Sequence, residues 1–348
     1  MPELPEVETI ARELCAGLCG RRITACAVNR PASVETGAPA LSRAAFKREI
    51  PGLVVAKVWR RAKILIMDLV ADGGECAGAS TISAPGCASG NRDKGDVRRA
   101  RSVPGREPGI GVTPPEDSSS KTAAAKASSA AGKTSAAEAP SNVVLHLAVR
   151  LGMSGRLWLT APDSAPEKHT HLAFDLDDGR RLLFIDPRTF GNVRAVPGGR
   201  LDAWDAFAAL GPEPLEIGPA EFAACFAGRS GKMKALLLDQ HRVAGVGNIY
   251  ADESLFRAGI RPEARADKIS EPRLRRLHAA LQEVLREAIA ENGSSIRDYR
   301  DAHGDSGAFQ NTFRAYGRAG QPCTVCGTKM TKATVAGRTT SYCRKCQK

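Results

Sequence analysis

The 348-residue chain carries 50 Lys and Arg against 38 Asp and Glu, a net charge of +12, with 43% hydrophobic residues and ten cysteines. That length accommodates two to three domains with real cores, and the composition excludes a wholly disordered chain. No apolar run approaches the roughly 18 residues of a membrane span, no apolar signal core opens the chain, and the cysteines are too sparse for a disulfide-stapled secreted module, so a soluble protein is expected.

Val7, Ile10, Ala11, Leu14 and Leu18 recur at helical spacing, and Gly20 follows them. This predicts one amphipathic helix beginning close to the amino terminus. Strands are predicted over Arg22–Asn29, Val54–Arg60 and Lys63–Leu69. Residues 71–142 break the pattern: they are rich in Gly, Ala, Ser and Pro, lack aromatics, and hold nine Lys/Arg and eight Asp/Glu. Such a segment cannot bury enough apolar surface to offset its ordering entropy, so a disordered insertion is expected there. Beyond it, Val143–Val149, Leu172–Leu176 and Arg181–Ile185 read as strands, the last two flanking the hairpin signal Asp177-Asp178-Gly179. Helices are predicted over Glu221–Phe226, Lys234–Asp239, Ile249–Arg257 and Pro272–Ala290. In the last, Leu274, Leu277, Leu281, Val284, Leu285 and Ala288 form one apolar stripe, with Ser270 and Pro272 suited to its start and Gly293 to its end.

Charge and cysteines point toward a partner. Residues 71–142 contribute only +1, so +11 lies elsewhere, and the final 43 residues from Ser306 hold eight Lys/Arg and no acid. An acid-free basic segment suggests a polyanion, nucleic acid first. Cys323-x2-Cys326 and Cys343-x2-Cys346 fit the spacing of a four-thiolate zinc site, which closes the shell and makes one zinc structural. Four reduced thiols or two disulfides are the plainer alternative. Cys15 and Cys19 stand four apart on the first helix without a second pair, and read as packing or unligated thiols. Pro2-Glu3, with Glu6 a turn later, is a second candidate site. Trimming of Met1 would expose a secondary amine, and an α-amino group with a pKa of roughly 7.7–8.0 is partly neutral and nucleophilic. Glu3 would then stand ready to move protons, although Pro-Glu is also simply a good helix start.

Combined, these pieces resemble the bacterial formamidopyrimidine-DNA glycosylases. The resemblance rests on the opening Met1-Pro2-Glu3-Leu4-Pro5-Glu6, on Arg60-Arg61-Ala62-Lys63, Leu151-Gly152-Met153-Ser154-Gly155 and Asp186-Pro187-Arg188-Thr189-Phe190-Gly191, on Leu210-Gly211-Pro212-Glu213-Pro214-Leu215 and Val246-Gly247-Asn248-Ile249-Tyr250, and on the four-cysteine end. It covers nearly all of the chain except residues 71–142. It implies an α+β fold: an N-terminal helix with an antiparallel β-sandwich over residues 1–205, a helix–two-turn–helix domain with a lesion-capping loop over 206–310, and a zinc-finger β-hairpin over 311–348. The implied activity is excision of oxidised purines, 8-oxoguanine and formamidopyrimidines, from double-stranded DNA, followed by β,δ-elimination at the abasic site.

In this resemblance Pro2 is the Schiff-base nucleophile, Glu3 the general acid/base and Glu6 its support. Lys63 matches the lysine of β-elimination and Arg338 the zinc-finger arginine of δ-elimination. Met153, Arg188 and Phe190 match the residues that fill the gap left by an extruded base, a role for which an apolar wedge and an Arg are suited. Read without the resemblance, Met153 and Phe190 could be core and Arg188 a phosphate clamp. His169, Arg229, Lys234 and Asn248 match DNA-backbone contacts, and residues 294–309 match the loop over the flipped base. His146 stands seven residues before Met153 where the family places a His three before, so the strand register there is expected to differ. A monomer without membrane association is implied, in the cytoplasm at the nucleoid if bacterial, in a nucleus or organelle otherwise. An endonuclease VIII-like glycosylase for oxidised pyrimidines and a non-catalytic damage-binding protein are the rival readings.

Overall fold

The computed structural model describes residues 2–71, 142–162, 164–165, 167–295, 302, 304 and 306–348. The insertion, apart from its end residues, and much of the expected capping loop lie outside the described residues. In chain order the elements are α1 (Leu4–Leu18), β1 (Ile23–Val28), α2 (Arg43–Glu49), β2 (Val54–Arg61), β3 (Ile64–Val70), β4 (Val143–Arg150), β5 (Arg156–Thr160), β6 (Thr170–Leu176), β7 (Arg181–Ile185) and β8 (Asn192–Pro197). Then follow α3 (Asp205–Ala208), α4 (Pro219–Ala224), α5 (Met233–Leu238), α6 (Asn248–Ala258), α7 (Glu271–Ala290), β9 (Thr331–Val335) and β10 (Arg338–Tyr342).

Two four-stranded antiparallel sheets, ordered β1-β6-β7-β5 and β2-β3-β4-β8, enclose the first core. The β6–β7 hairpin turns at the anticipated Asp177-Asp178-Gly179. Every residue of β3 is buried, so its run is apolar except for Asp68. Asp68 accepts a hydrogen bond from Trp59 Nε1 at 2.9 Å on one oxygen and meets His146 Nδ1 at 2.7 Å on the other, so both oxygens of this buried carboxylate have partners. His146 thus has a structural use. Pairing of β4 with both neighbours is continuous from Leu145 to Arg150, and the one register shift against β3 falls between Val143 and Leu145.

Helix α1 is the bridge between cores. Pro5 sits in its first turn, where a missing N–H costs nothing. Val7, Ile10, Ala11, Leu14 and Leu18 pack into the sandwich core, while Leu4 belongs to a second core built from α4, α5, α6 and α7. There the α7 stripe is buried throughout, each large side chain contributing about 1.5–3 kcal/mol of transfer free energy. The helix stops where Gly293, at φ +78°, folds its N–H back to Ala288 O. Helix α4 begins two residues before the predicted start because Pro219 opens it. A third small core joins Phe256, Ala315, Cys323, Met330 and Cys343 beneath the β9–β10 hairpin. No helix among the described residues is long and apolar enough to cross a membrane.

Candidate active site

The head of α1 is buried under the start of α6. Pro2 and Glu3 are both buried, and the Glu3 carboxylate accepts from the backbone N–H of Ile249 at 3.1 Å and of Tyr250 at 3.5 Å. These are otherwise unpaired donors of a helix N-terminus, where negative charge is favoured. A Cβ on Gly247 would stand 2.2–2.5 Å from the Glu3 carboxyl carbon and oxygens, so only glycine permits this approach. Burial nonetheless pushes the Glu3 carboxyl above its ordinary range, against the opposing pull of Lys63 and the two N–H groups. Glu6 lies one turn on. It accepts from Glu3 N at 2.8 Å, from Ser294 N at 2.8 Å and from the Tyr250 hydroxyl. Burial, with the Glu3 charge adding to it, pushes the Glu6 carboxyl up to about 7. Tyr250 and Ser294 were not singled out from sequence. Tyr250 is fully buried, and Glu6 ties Ser294, just beyond α7, to the head of α1.

Lys63 reaches the same site from the β2–β3 turn. Its ammonium donates to Val246 O at 2.9 Å, and burial holds it below the ordinary lysine range while Glu3 and Glu6 oppose that shift. The turn needs a positive φ at Ala62, +54°, and is held by one buried carboxylate. Glu213 accepts from Ala62 N at 2.6 Å, Arg60 Nη1 at 2.7 Å and Arg61 Nη1 at 3.0 Å, and Arg60 also donates to Glu8 at 2.8 Å. The Leu-Gly-Pro-Glu motif therefore acts through the turn that presents Lys63. Sequence pattern gave no sign of this pairing across about 150 residues.

Arg338 opens β10 at the tip of the zinc-module hairpin and is exposed, and its charge is felt at Lys63. The hairpin is docked on α5 and α6. Asn248 Nδ2 donates to Thr339 O at 3.1 Å, and Ser341 N donates to Asp252 at 3.3 Å. Lys234 corrects an expectation. Anticipated at a DNA phosphate, it is fully buried, ion-paired with Asp252 at 2.6 Å and hydrogen-bonded to Thr340 Oγ1 at 2.6 Å. The α5 start faces the hairpin rather than solvent, so this ammonium fastens the zinc module to the helical core. Burial pushes its partner Asp252 up to about 6.

Met153 and Phe190 are exposed by 42% and 59%, which removes the core reading for both. Arg188 is exposed beside them, its guanidinium carbon 5.3 Å from the Phe190 ring centroid. The two loops that carry them share a buried anchor, Asp186. It accepts from Ser154 Oγ at 2.6 Å, Arg188 N at 3.2 Å and Gly191 N at 2.7 Å. Gly152 lets the loops touch, since its Cβ would meet Phe190 backbone at 2.7 Å. His169 and Arg229 lie exposed on turns, the former with φ +64° and its carbonyl accepting from Asp186 N at 3.1 Å.

The sulfurs of Cys323, Cys326, Cys343 and Cys346 lie within 4.8 Å of one another, with Cys326–Cys343 at 3.5 Å and Cys323–Cys346 at 3.8 Å. Four thiolates about 2.3 Å from a tetrahedral zinc would stand about 3.8 Å apart, so the donor set fits one structural zinc. Glu253, buried on α6, accepts from the backbone N–H of Arg314, Ala315 and Tyr316 and fixes the lead-in to this module.

Family models match this arrangement along the chain. The formamidopyrimidine-DNA glycosylase N-terminal domain matches residues 1–81 and 98–193, the H2TH domain of the same enzymes matches 210–300, and the zinc finger found in FPG and IleRS matches 320–348. A formamidopyrimidine-DNA glycosylase of Nitratidesulfovibrio vulgaris is 45% identical, covering 100% of both chains. The chain belongs to the formamidopyrimidine-DNA glycosylase family. Its members are DNA glycosylases of base-excision repair. A second relative, from Desulfitobacterium hafniense, is 34% identical over 100% of both chains. Among solved structures, a Lactococcus lactis FPG mutant in complex with Fapy-dG-containing DNA is 28% identical, with a TM-score of 0.73 over 99% of each chain. MutM from Thermus thermophilus is 31% identical, with a TM-score of 0.70 over 99% of this chain and 98% of that one.

Proposed function

We propose that the chain excises oxidised purines, 8-oxoguanine and formamidopyrimidines, from duplex DNA and then cleaves the abasic site. The observation that carries this reading is the convergence at the head of α1: buried Pro2 and Glu3, the N-terminus of α6 and the Lys63 ammonium. With Met1 removed, the Pro2 amine attacks the deoxyribose anomeric carbon and forms an iminium. Glu3, whose raised pKa favours the protonated form, supplies the proton for glycosidic cleavage. Glu6 holds the Glu3 backbone in place. Lys63 assists β-elimination and Arg338 δ-elimination, each next to a phosphate leaving group. Met153, Arg188 and Phe190 occupy the gap left by the extruded base, and His169, Arg229 and Asn248 contact the backbone. One zinc, held by Cys323, Cys326, Cys343 and Cys346, keeps the Arg338 hairpin folded. The domain division that goes with this reading is 1–205 with the insertion at 71–142, 206–310, and 311–348. In this reading the protein works in the cytoplasm, at the nucleoid, which the bacterial relatives support.

The test is borohydride trapping with a duplex carrying 8-oxoguanine opposite cytosine. A reduced crosslink mapping to Pro2 is expected. Tight binding without a crosslink would leave a damage-binding protein, and trapping confined to oxidised pyrimidines would leave the endonuclease VIII-like reading.

A further inference from the structure

Cys15 and Cys19 take no part in the site above, yet they are not ordinary packing thiols. Both are half-buried on the last turn of α1, and their sulfurs stand 3.1 Å apart, in direct contact. In a regular helix, residues four apart have Cα atoms about 6.2 Å apart. That lies within the roughly 4.4–6.8 Å that disulfides span, and closure further needs the Cβ atoms to move from the about 5–6 Å of helix neighbours to about 3.5–4.5 Å. Cys19 is the residue at which the chain leaves the helix, with ψ 129°, so it is the terminal turn that tightens on closure. We propose that Cys15 and Cys19 are a redox-active dithiol, which hydroperoxides convert reversibly to a disulfide across the end of α1.

The chemistry balances with a hydroperoxide as oxidant. The Cys15 thiolate attacks one peroxide oxygen, the O–O bond breaks, and hydroxide or alkoxide leaves, giving a sulfenic acid at Cys15. The Cys19 sulfur then attacks the Cys15 sulfur, the S–O bond breaks, and the departing hydroxide takes the Cys19 proton as water. Two thiols are oxidised and one peroxide is reduced. Cys15 suits the attacking role because the neighbouring Cys19 thiol, the Val58 backbone and the Lys57 ammonium bring it down to about 6. The same chain contains a control: burial pushes the Cys26 thiol up to about 11.

The test uses the zinc-loaded full chain treated with hydrogen peroxide, quenched with catalase, alkylated and digested with trypsin. Both thiols fall in one peptide, Glu13–Arg21. That peptide is expected two hydrogen atoms lighter than the dithiol and unalkylated, restored by dithiothreitol, and formed at least about ten-fold faster than Cys26 is modified. In Cys19→Ser the reaction is expected to stop at a Cys15 sulfenic acid captured by dimedone. A Glu13–Arg21 peptide that stays doubly alkylated, or passes to sulfinic acid without a disulfide, overturns the proposal.

Discussion

The head of α1 and the paired loops around Asp186 solve opposite problems. At the first, Glu3 and Glu6 are buried and Lys63 is half-buried, and all three are held by hydrogen bonds within the protein: Glu3 by α6, Glu6 by Tyr250 and Ser294, Lys63 by Val246. At the second, Asp186 holds loop backbone and the Ser154 hydroxyl, while the side chains of Met153, Arg188 and Phe190 are exposed. Groups that move protons need a fixed geometry before a substrate arrives. Groups that fill a gap in a duplex take their partner from the duplex, so the protein fixes only where they emanate from.

This contrast can be broken in four places. Glu3→Gln removes the proton donor while keeping the buried shape, and base excision is expected to fall by about 10²–10⁴-fold in single-turnover assays with duplex affinity retained. Unchanged excision would move the chemistry elsewhere. Asp186→Ala strips the acceptor from both loops. Stability measured by denaturant is expected to drop by about 1–3 kcal/mol, and excision of a base to suffer more than cleavage of a preformed abasic site. Glu6 tests the buried side through pH. Its folded pKa of about 7 lies above its ordinary 4.5, so the folded state holds the proton more tightly. The associated stability is full below about pH 4.5 and is lost as pH rises through 7, a difference of order 3 kcal/mol that Glu6→Gln should flatten. Phe190→Ala is the mildest. Being exposed, it should leave stability within about 0.5 kcal/mol, yet weaken binding to a lesion duplex relative to an intact one.

The same contrast governs what the sequence could disclose. Glu3, Lys63 and the four cysteines were legible because short motifs carry them, and the α7 stripe because its period is long and regular. Helix α2 passed unread because it buries Phe46 alone, and β5 and β8 because no short turn signal joins them to a neighbouring strand as Asp177-Asp178-Gly179 joins β6 to the comparably short β7, with Arg194 also interrupting β8. Lys234 shows the limit of a motif. A basic residue near a basic surface reads as a phosphate contact, and only the fold reveals Asp252 beside it. Glu213, Tyr250 and Asp186 act through partners remote in the chain or through backbone, and no local pattern announces such roles.

Glu213 has a mechanical consequence. The segment that leads from the sandwich into the helical half places this one carboxylate on Arg60, Arg61 and the amide next to Lys63. The seam between the sandwich and the helical half and the mount of the lysine therefore share one carboxylate. A substitution at Glu213 cannot loosen the one and spare the other, because the same two oxygens serve both.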